Sequence, residues 1–476
     1  MKTRVISSLV AAGLVVPALA EDFRDQEVAE LRSMVEALKG EVDVLRAQGS
    51  DQWLNEQRSE QIRGIVQDVL ADADTRASLQ GSGATSGYNR GFFVQSADGN
   101  WKMKVNGQLQ VRWNYNHAPD GDAAVGGGPV SDQYGFHVRR AKLKFSGNVI
   151  DPSWTYKTTL VSERNGGNGN TYLEDAWVNK KLDDGWYVKV GQFKAPYLRE
   201  ELVSSGAQLA VERSMINNQF TYGWAQGVEL GSKSDDLWGR VWYGDGPNSL
   251  NAVGSVSSTA ALTARVDYKL AGDWKDWKTL TGRGLKSDSY AFIGAAFEWF
   301  NMSEDRANSD VEYGGADATR SYGFTVDATF GGQGWIAYTY FAYANGKNAG
   351  GANPDEAEGW GWVAQGGFDV ADNAQLFGRY ELGDITNFSG LSGGGVAAVG
   401  NRNGHDSTLT MGLNYWPSGI KNVKLTADVG YAFSFLNDGG NVPSADYTSS
   451  GNGWRGDSNG SDGGQWLLRA QMQLLF

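Results

Sequence analysis

The chain has 476 residues, a formal net charge of −13 at pH 7 and no cysteine. This acidity argues against nucleic acid as a partner, and the lack of cysteine excludes a disulfide framework. Glycine (65 residues) and aromatic residues (18 Trp, 20 Tyr and 19 Phe) are abundant. Aromatic residues together with Gly-rich loops are typical of β-barrels that carry aromatic girdles at both membrane interfaces. A secreted all-β sandwich or a carbohydrate-binding array is the alternative.

The N-terminus has the three parts of a signal peptide. Lys2 and Arg4 are followed by an apolar stretch over residues 5–16 and by small residues at 18–20. The pattern predicts a signal peptide over residues 1–20, with an uncleaved anchor as the alternative. No other window holds about 18 consecutive apolar residues, so a helical transmembrane domain is not expected. We therefore expect the protein to be exported.

Residues 21–80 are predicted to be helical. Apolar residues recur there at spacings of three and four, at Val28, Leu31, Val35, Leu38, Val42 and Leu45 and again at Ile62, Ile65 and Val69. Such a seam predicts a coiled coil, and a single amphipathic helix lying on another surface is the alternative. Residues 81–100 are rich in glycine and serine and are predicted to be a linker.

From Trp101 onward the pattern changes to alternating apolar and polar residues, as in a β-strand whose side chains point to opposite faces in turn. The first run, 101–115, exceeds the ~6 residues of a globular strand and suits the about 9–11 residues that cross a bilayer at a tilt. Sixteen strands are predicted, near residues 101–115, 134–149, 153–162, 171–181, 184–193, 225–233, 236–243, 259–270, 288–300, 319–330, 334–343, 358–368, 372–381, 406–416, 422–435 and 464–476.

The connections between these strands alternate between short turns and long loops. This alternation predicts an all-β transmembrane fold over residues 101–476, a 16-stranded antiparallel up-and-down outer-membrane β-barrel with a water-filled lumen. Residues 271–287 break the rule: either a strand is wrongly assigned, or the short-turn side carries an elaboration. The last strand presents apolar residues from Trp466 to Phe476 on one face and Arg469 on the other, as expected for lipid outside and water inside.

Basic residues are concentrated early in the predicted barrel. Residues 90–213 contain 16 Lys/Arg and 13 Asp/Glu, whereas residues 81–476 as a whole carry a net charge of −8. A cation facing lipid at the midplane would cost about 2–4 kcal/mol, so these side chains are expected to face the lumen. The alternation changes phase in the second strand, which predicts a β-bulge near Arg139 and Arg140. The candidate pore-lining and anion-binding residues are Arg139, Arg140, Lys142, Lys144, Lys189, Lys194, Arg199 and Arg213.

Acidic residues close in sequence offer another role for these bases. The carboxylates are Glu174, Asp175, Glu200, Glu201 and Glu212. Water-filled barrels often carry ladders of both signs across the lumen, and in such a ladder the bases would be neutralised rather than available to a passing anion.

Five segments carry a resemblance to a known family. They are FHVRRAKLKFSG (136–147), YLEDAWVN (172–179), GQFKAPYLREELVSS (191–205), VERS (211–214) and QGVELGS (226–232). In this order they resemble the phosphate-selective porin O/P family of Gram-negative outer membranes. The resemblance implies a homotrimeric passive channel for small hydrophilic solutes, in which residues 194–224 fold into the barrel and the Lys/Arg cluster favours phosphate or other small anions.

The resemblance further implies contact with outer-membrane lipid and lipopolysaccharide. It places the coiled coil in the periplasm, where it could assemble a trimer or bind the cell wall or a periplasmic partner. Two alternatives stay open. One is a non-selective or cation-preferring general porin, for which the acidic barrel argues. The other is a structural envelope tether that acts through the coiled coil.

Catalysis has little support in the sequence. His117, His137 and His405 are isolated, and neither an HExxH motif nor a Gly-rich phosphate loop is present. These are the residue patterns that metal-dependent or nucleotide-dependent enzymes need. We therefore predict no catalytic residue, no metal site and no cofactor, and we do not expect an enzyme.

Overall fold

The structure is a computed structural model that divides the chain into two compact units, Met1–Gly83 and Ala84–Phe476. It describes residues 32–44, 63–68, 83–122, 130–162, 171–247, 258–302, 319–348, 356–384, 405–434, 453–454 and 463–476. The predicted signal peptide lies outside these residues.

The first unit contains two described helices, α1 over 32–44 and α2 over 63–68. Both lie within the segment for which a coiled coil is predicted. Their side chains are exposed in the single chain, so the coiled coil itself is not confirmed and stays a prediction. Among the described helices, none is long and apolar enough to cross a membrane.

The second unit begins with a hairpin inside the segment predicted to be a linker, formed by β1 (Thr85–Tyr88) and β2 (Phe92–Gln95). Sixteen strands follow among the described residues: β3 (Lys102–Asp122), β4 (Val130–Val149), β5 (Asp151–Ser162), β6 (Thr171–Lys181), β7 (Trp186–Lys194), β8 (Trp224–Lys233), β9 (Leu237–Gly244), β10 (Ser258–Ala271), β11 (Ser289–Met302), β12 (Thr319–Gly332), β13 (Trp335–Asn348), β14 (Glu356–Ala371), β15 (Ala374–Asp384), β16 (His405–Tyr415), β17 (Val423–Ala432) and β18 (Gln465–Leu475).

Each of these sixteen strands is antiparallel to the next, and β18 pairs with β3 to close the barrel. The closing register runs from Trp466 opposite His117 to Leu475 opposite Gln108. Beyond that point, β2 takes over the same edge of β3. The predicted 16-stranded antiparallel barrel is therefore confirmed, and closure leaves none of its strands with a free edge.

The two faces of the strands differ as the alternation predicts. In β18, Trp466 is 46% exposed and Met472 is 53% exposed on the outer face, whereas Arg469 is 2% exposed on the inner face. An apolar outer wall is what a bilayer stabilises, and an inner wall of polar groups is what a water-filled lumen stabilises.

The lumen is partly filled by residues 195–223, which connect β7 to β8 and are called here the constriction loop. The loop contains two short helices, α3 (Arg199–Leu202) and α4 (Met215–Phe220). Its apolar residues, with Tyr197 and Phe220 among them, are buried against inward-facing residues of β9–β11 and β13–β15. The packing is aromatic in part, because the ring of Tyr222 lies edge-on to Trp242 at 5.5 Å. The apolar part of the loop thus holds it to one wall.

The unusual connection between β10 and β11 is also explained. Residues 272–288, called here the strap, form an ordered segment with a 3₁₀ turn at Asp276–Lys278. The carboxylate of Asp276 accepts hydrogen bonds from the backbone amides of Lys286 (2.6 Å) and Ser287 (3.1 Å). The amide of Leu280 donates to the carbonyl of Ala207 in the constriction loop at 3.0 Å. No strand was wrongly assigned, and the short-turn end carries an elaboration that reaches the loop.

Candidate functional site

A β-bulge in β4 brings two adjacent arginines to the inside of the barrel. Gln110 of β3 pairs with Arg140, and the next residue of β3 pairs with Val138, so that Arg139 is the extra residue. Arg139 is 8% exposed and Arg140 is 6% exposed, while Phe136 on the outer face is 78% exposed. A bulge shifts the alternation by one residue. The predicted bulge is confirmed. Because of it, two consecutive guanidinium groups instead of one lie on the inner face of β4 at this height of the barrel.

Three arginines converge on one carboxylate of the constriction loop, that of Glu212. Its Oε1 accepts hydrogen bonds from Arg112 Nη2 (2.7 Å), Arg139 Nε (2.8 Å) and Arg140 Nη1 (2.7 Å). Its Oε2 accepts a further bond from Arg140 Nη2 at 3.1 Å. Arg140 therefore donates to both oxygens of the carboxylate, and this bidentate geometry is the strongest for an arginine–carboxylate pair.

Two more carboxylates hold the remaining bases of this region. Glu201 of α3 pairs with Lys194 and, at 3.2 Å, with Arg213. Glu174 pairs with Lys142. The nine side chains are called here the constriction cluster: Arg112, Arg139, Arg140, Lys142, Lys194, Arg213, Glu174, Glu201 and Glu212. Its contacts join six basic groups to three carboxylates.

Glu174 reaches the lumen by a second bulge. Thr159 of β5 pairs with Asp175, and Leu160 pairs with Leu173, which leaves Glu174 as the extra residue. Both carboxylates then point inward, and Asp175 pairs with Lys157 at 2.8 Å. Neutralisation of the basic side chains by nearby carboxylates, which is the alternative role considered from the sequence, therefore occurs in part.

Two further candidates lie on the lumen wall nearer the short-turn end. Lys144 Nζ donates to Gln108 Oε1 at 2.9 Å and forms no ion pair with a described carboxylate. Lys189 Nζ contacts Glu229 Oε1 at 2.8 Å. Both keep part of their surface in contact with water, so these lysines stand in the accessible part of the lumen.

Arg199 occupies a different environment from the other candidates. It is 0% exposed, and its guanidinium lies 5.0 Å from the ring centre of Trp277 and 5.3 Å from that of Phe292. Its Nη2 donates to the carbonyl of Trp277 at 3.1 Å, and Nη1 contacts Thr329. Arg199 therefore joins the constriction loop to the strap, a contact that suits cation–π packing rather than exchange with solvent.

Charged residues on the opposite wall pair with one another. Asp267 of β10 accepts from Arg265 Nη2 at 2.5 Å and contacts Arg240. Arg265 also contacts Asp327 at 2.7 Å and donates to the carbonyl of Tyr197 at 2.9 Å. These groups are almost fully buried, so this network fastens the loop to the wall.

Two carboxylates of the constriction loop, Glu201 and Glu212, remain ionised in this setting. Burial opposes the charge on Glu201, but Arg213 and Lys194 outweigh it and lower the pKa of Glu201 to about 2. Burial also opposes the charge on Glu212, and the three arginines hold its pKa well below the ordinary value. An opposite charge within a few ångströms favours the charged form of a carboxyl group.

Two described residues near the other end of the chain, Gly453 and Trp454, also lie inside the barrel. Trp454 is 1% exposed and lies in an apolar cluster with Met215 of α4, Ala432 and Leu467. The carbonyl of Gly453 accepts a hydrogen bond from Asn116 Nδ2 at 3.2 Å. Trp454 therefore rests directly beside the constriction loop.

The candidate residues predicted from the sequence do not include three of these side chains. Arg112 and Lys157 lie on the polar faces of their strands, and alternation by itself directs both to the lumen. Trp454 lies in a Gly- and Asn-rich loop with no periodic pattern, and nothing local indicates its burial. Across the described part of the chain, no group of three or more His, Asp or Glu side chains could hold a metal ion.

The closed barrel with a charged lumen and an inserted loop defines an outer-membrane channel of the porin class. The family described as phosphate-selective porin O and P matches residues 104–432. The chain belongs to that family, as its five motif segments indicate.

Solved structures agree at the level of fold. An anion-selective porin from Comamonas acidovorans has 13% identity and a TM-score of 0.50, covering 79% of this chain and 99% of that one. OmpF of Salmonella typhi in complex with daunomycin has 12% identity and a TM-score of 0.50, covering 82% of this chain and 100% of that one. At these identities the likeness shows the fold alone. No curated protein sequence matches the chain.

Proposed function

We propose that this outer-membrane channel passively conducts small hydrophilic solutes and favours phosphate and related anions. The observation that carries the proposal is the charge of the constriction cluster, in which six basic groups contact three carboxylates. This excess of positive charge lies where the constriction loop meets β3, β4 and β7, whereas residues 81–476 as a whole carry a net charge of −8.

The chemistry of the cluster supports this preference. An anion that leaves bulk water must find donors and positive charge along the pore, without a site so tight that it cannot leave. Guanidinium groups match phosphate oxygens in pairs, and ammonium groups act as point charges. Arg139, Arg140 and Lys142 supply both kinds, and Lys144 lies farther along the same strand.

We assign the remaining candidates by their surroundings. Lys144 and Lys189 would line the path, because both keep contact with water. Lys194 and Arg213 would contribute positive charge next to Glu201. Arg199 would act by holding the constriction loop to the strap, since no part of it is exposed.

Ion selectivity tests the proposal directly. In planar bilayers with a KCl gradient, the reversal potential should show a preference for chloride, and inorganic phosphate should inhibit the chloride current. Replacing Arg139, Arg140, Lys142 and Lys144 together by Gln should weaken that inhibition, whereas Lys180→Gln should not. A potential that shows cation preference, with no inhibition by phosphate, would establish the general-porin alternative.

We also propose how the channel assembles and what surrounds it, on the basis of its membership of the porin family. We infer a homotrimer whose coiled coil over 21–80 lies in the periplasm, with a barrel wall in contact with lipid and lipopolysaccharide. Light scattering of chains with and without residues 21–80 tests this. Loss of the trimer on deletion supports an assembling coil, whereas an intact trimer with a weakened envelope supports a tether. We propose a channel without enzymatic activity.

A further inference from the structure

Arg112, Arg139 and Arg140 form a compact binding site for an oxyanion, and the chain fills it with its own carboxylate. The guanidinium donors lie 2.7–3.1 Å from the oxygens of Glu212. The donors approach from two strands, β3 and β4, while the carboxylate comes from the constriction loop. Phosphate and carboxylate oxygens take the same paired contacts from arginine.

The backbone that carries Glu212 is attached independently of its side chain. Arg379 Nη1 donates to the Glu212 carbonyl at 2.7 Å. The amide of Val211 donates to Asp428 Oδ2 at 3.1 Å, and Arg213 Nη2 donates to the carbonyl of Val203 at 2.9 Å. The backbone contacts that hold this part of the loop therefore do not depend on the contact between the carboxylate and the arginines.

From this geometry we propose that Glu212 is a tethered competitor, which a permeating oxyanion such as phosphate displaces from Arg112, Arg139 and Arg140. This inference rests on the proposed anion channel and identifies the site through which it would act. Three arginines without a competitor would hold an oxyanion tightly, and a site that binds too tightly does not conduct. The tethered carboxylate weakens net binding, because each passing anion must replace it.

The test is the concentration of inorganic phosphate that half-inhibits the chloride current of single channels. Glu212→Gln keeps the size of the side chain and removes its charge. We expect the half-inhibiting phosphate concentration to fall about tenfold, since a competitor tethered at high effective concentration is lost. Glu298→Gln is the control, because it makes the same substitution at a buried inward-facing glutamate that contacts Ser321 and forms no ion pair with a described cation.

An unchanged or higher half-inhibiting concentration in Glu212→Gln would overturn the inference, since Glu212 would then only organise the arginines. If Glu212→Gln does not fold, Glu212→Asp retracts the carboxylate and keeps the charge. That variant should show a smaller fall in the half-inhibiting concentration, and no change would likewise overturn the inference. The reversal potential of the unaltered protein distinguishes failure of the proposed function from failure of this inference. Cation preference would reject the anion channel. Anion preference, with no effect of Glu212→Gln on phosphate inhibition, would reject only the competitor role of Glu212.

Discussion

The ring of Phe476 occupies the space that a side chain on Gly107 would need. A Cβ placed on Gly107 would lie 2.1 Å from the ring. The two residues also exchange backbone hydrogen bonds, from Gly107 N to the Phe476 carbonyl at 2.6 Å and from Phe476 N to the Gly107 carbonyl at 3.1 Å. The last residue of the chain thus docks on a glycine of the first barrel strand.

We therefore predict that Gly107→Ala destabilises the closing seam. Overpacking of this kind costs about 1–3 kcal/mol. Thermal unfolding and heat-modifiable migration on gels report barrel stability, and both should show a loss. Gly239→Ala is the matched control, because a Cβ there meets no atom within 4 Å. Equal stability of the two variants would show that Phe476 can move aside without cost.

The strap should control how firmly the constriction loop is held. Trp277→Ala removes the ring under Arg199 and leaves a cavity, at a cost of about 3–5 kcal/mol. We expect larger and noisier single-channel currents, because the loop loses its support from the short-turn end. Trp274→Ala on the same segment is the control, since its ring stacks on Phe292 at 5.6 Å and has no described contact with the loop. A quiet channel in Trp277→Ala would contradict the prediction.

The charge on Glu201 should persist in acid. Its folded-state pKa is about 2, below the ~4.3 of an unperturbed glutamate. Its ion pairs therefore stabilise the fold fully above pH ~4.3 and lose that contribution as the pH falls through about 2. The difference in reversal potential between the unaltered channel and Glu201→Gln should stay constant from about pH 7 to pH 4. A difference that disappears near pH 4.5 would indicate an ordinary pKa.

Trp454 should limit the current from the long-loop side. Trp454→Ala empties the space beside Met215, and a deletion of this size costs about 3–5 kcal/mol of local packing. We expect a higher single-channel conductance with unchanged sign of selectivity, because the arginines around Glu212 are untouched. Trp466→Ala, on the lipid-facing wall, is the control. Equal conductance of all three proteins would place Trp454 away from the conducting path.

The wall of the barrel could be predicted because its signal is local. Each strand is indicated by the alternation of apolar and polar residues over about ten positions. A change in the phase of this alternation, such as that at Arg139, is visible within the same short segment. The structure confirms the sixteen strands with ends that differ by a few residues. The pore-lining roles of the candidate bases stay a prediction.

The side-chain contacts that fill the barrel could not be predicted, because they are long-range. Arg112 and Glu212 lie 100 residues apart in the chain, and no local sequence pattern at either position indicates that the two side chains are in contact. Arg199 illustrates the consequence: composition suggests a pore cation, but the guanidinium is enclosed by aromatic rings of the strap and the wall. Only the packed structure distinguishes a basic side chain that is exposed to water from one that packs against tryptophan.

The constriction loop is tied to both ends of the barrel sequence. Gln108 of β3 donates to Ser205 Oγ at 2.9 Å, and Gln473 of β18 donates to the Gly206 carbonyl at 3.0 Å. These two strands become neighbours only when the last one docks, and contacts between distant parts of a chain form late. An incomplete barrel therefore lacks part of the attachment of its loop. The complete attachment of the constriction loop therefore depends on closure of the wall between β18 and β3.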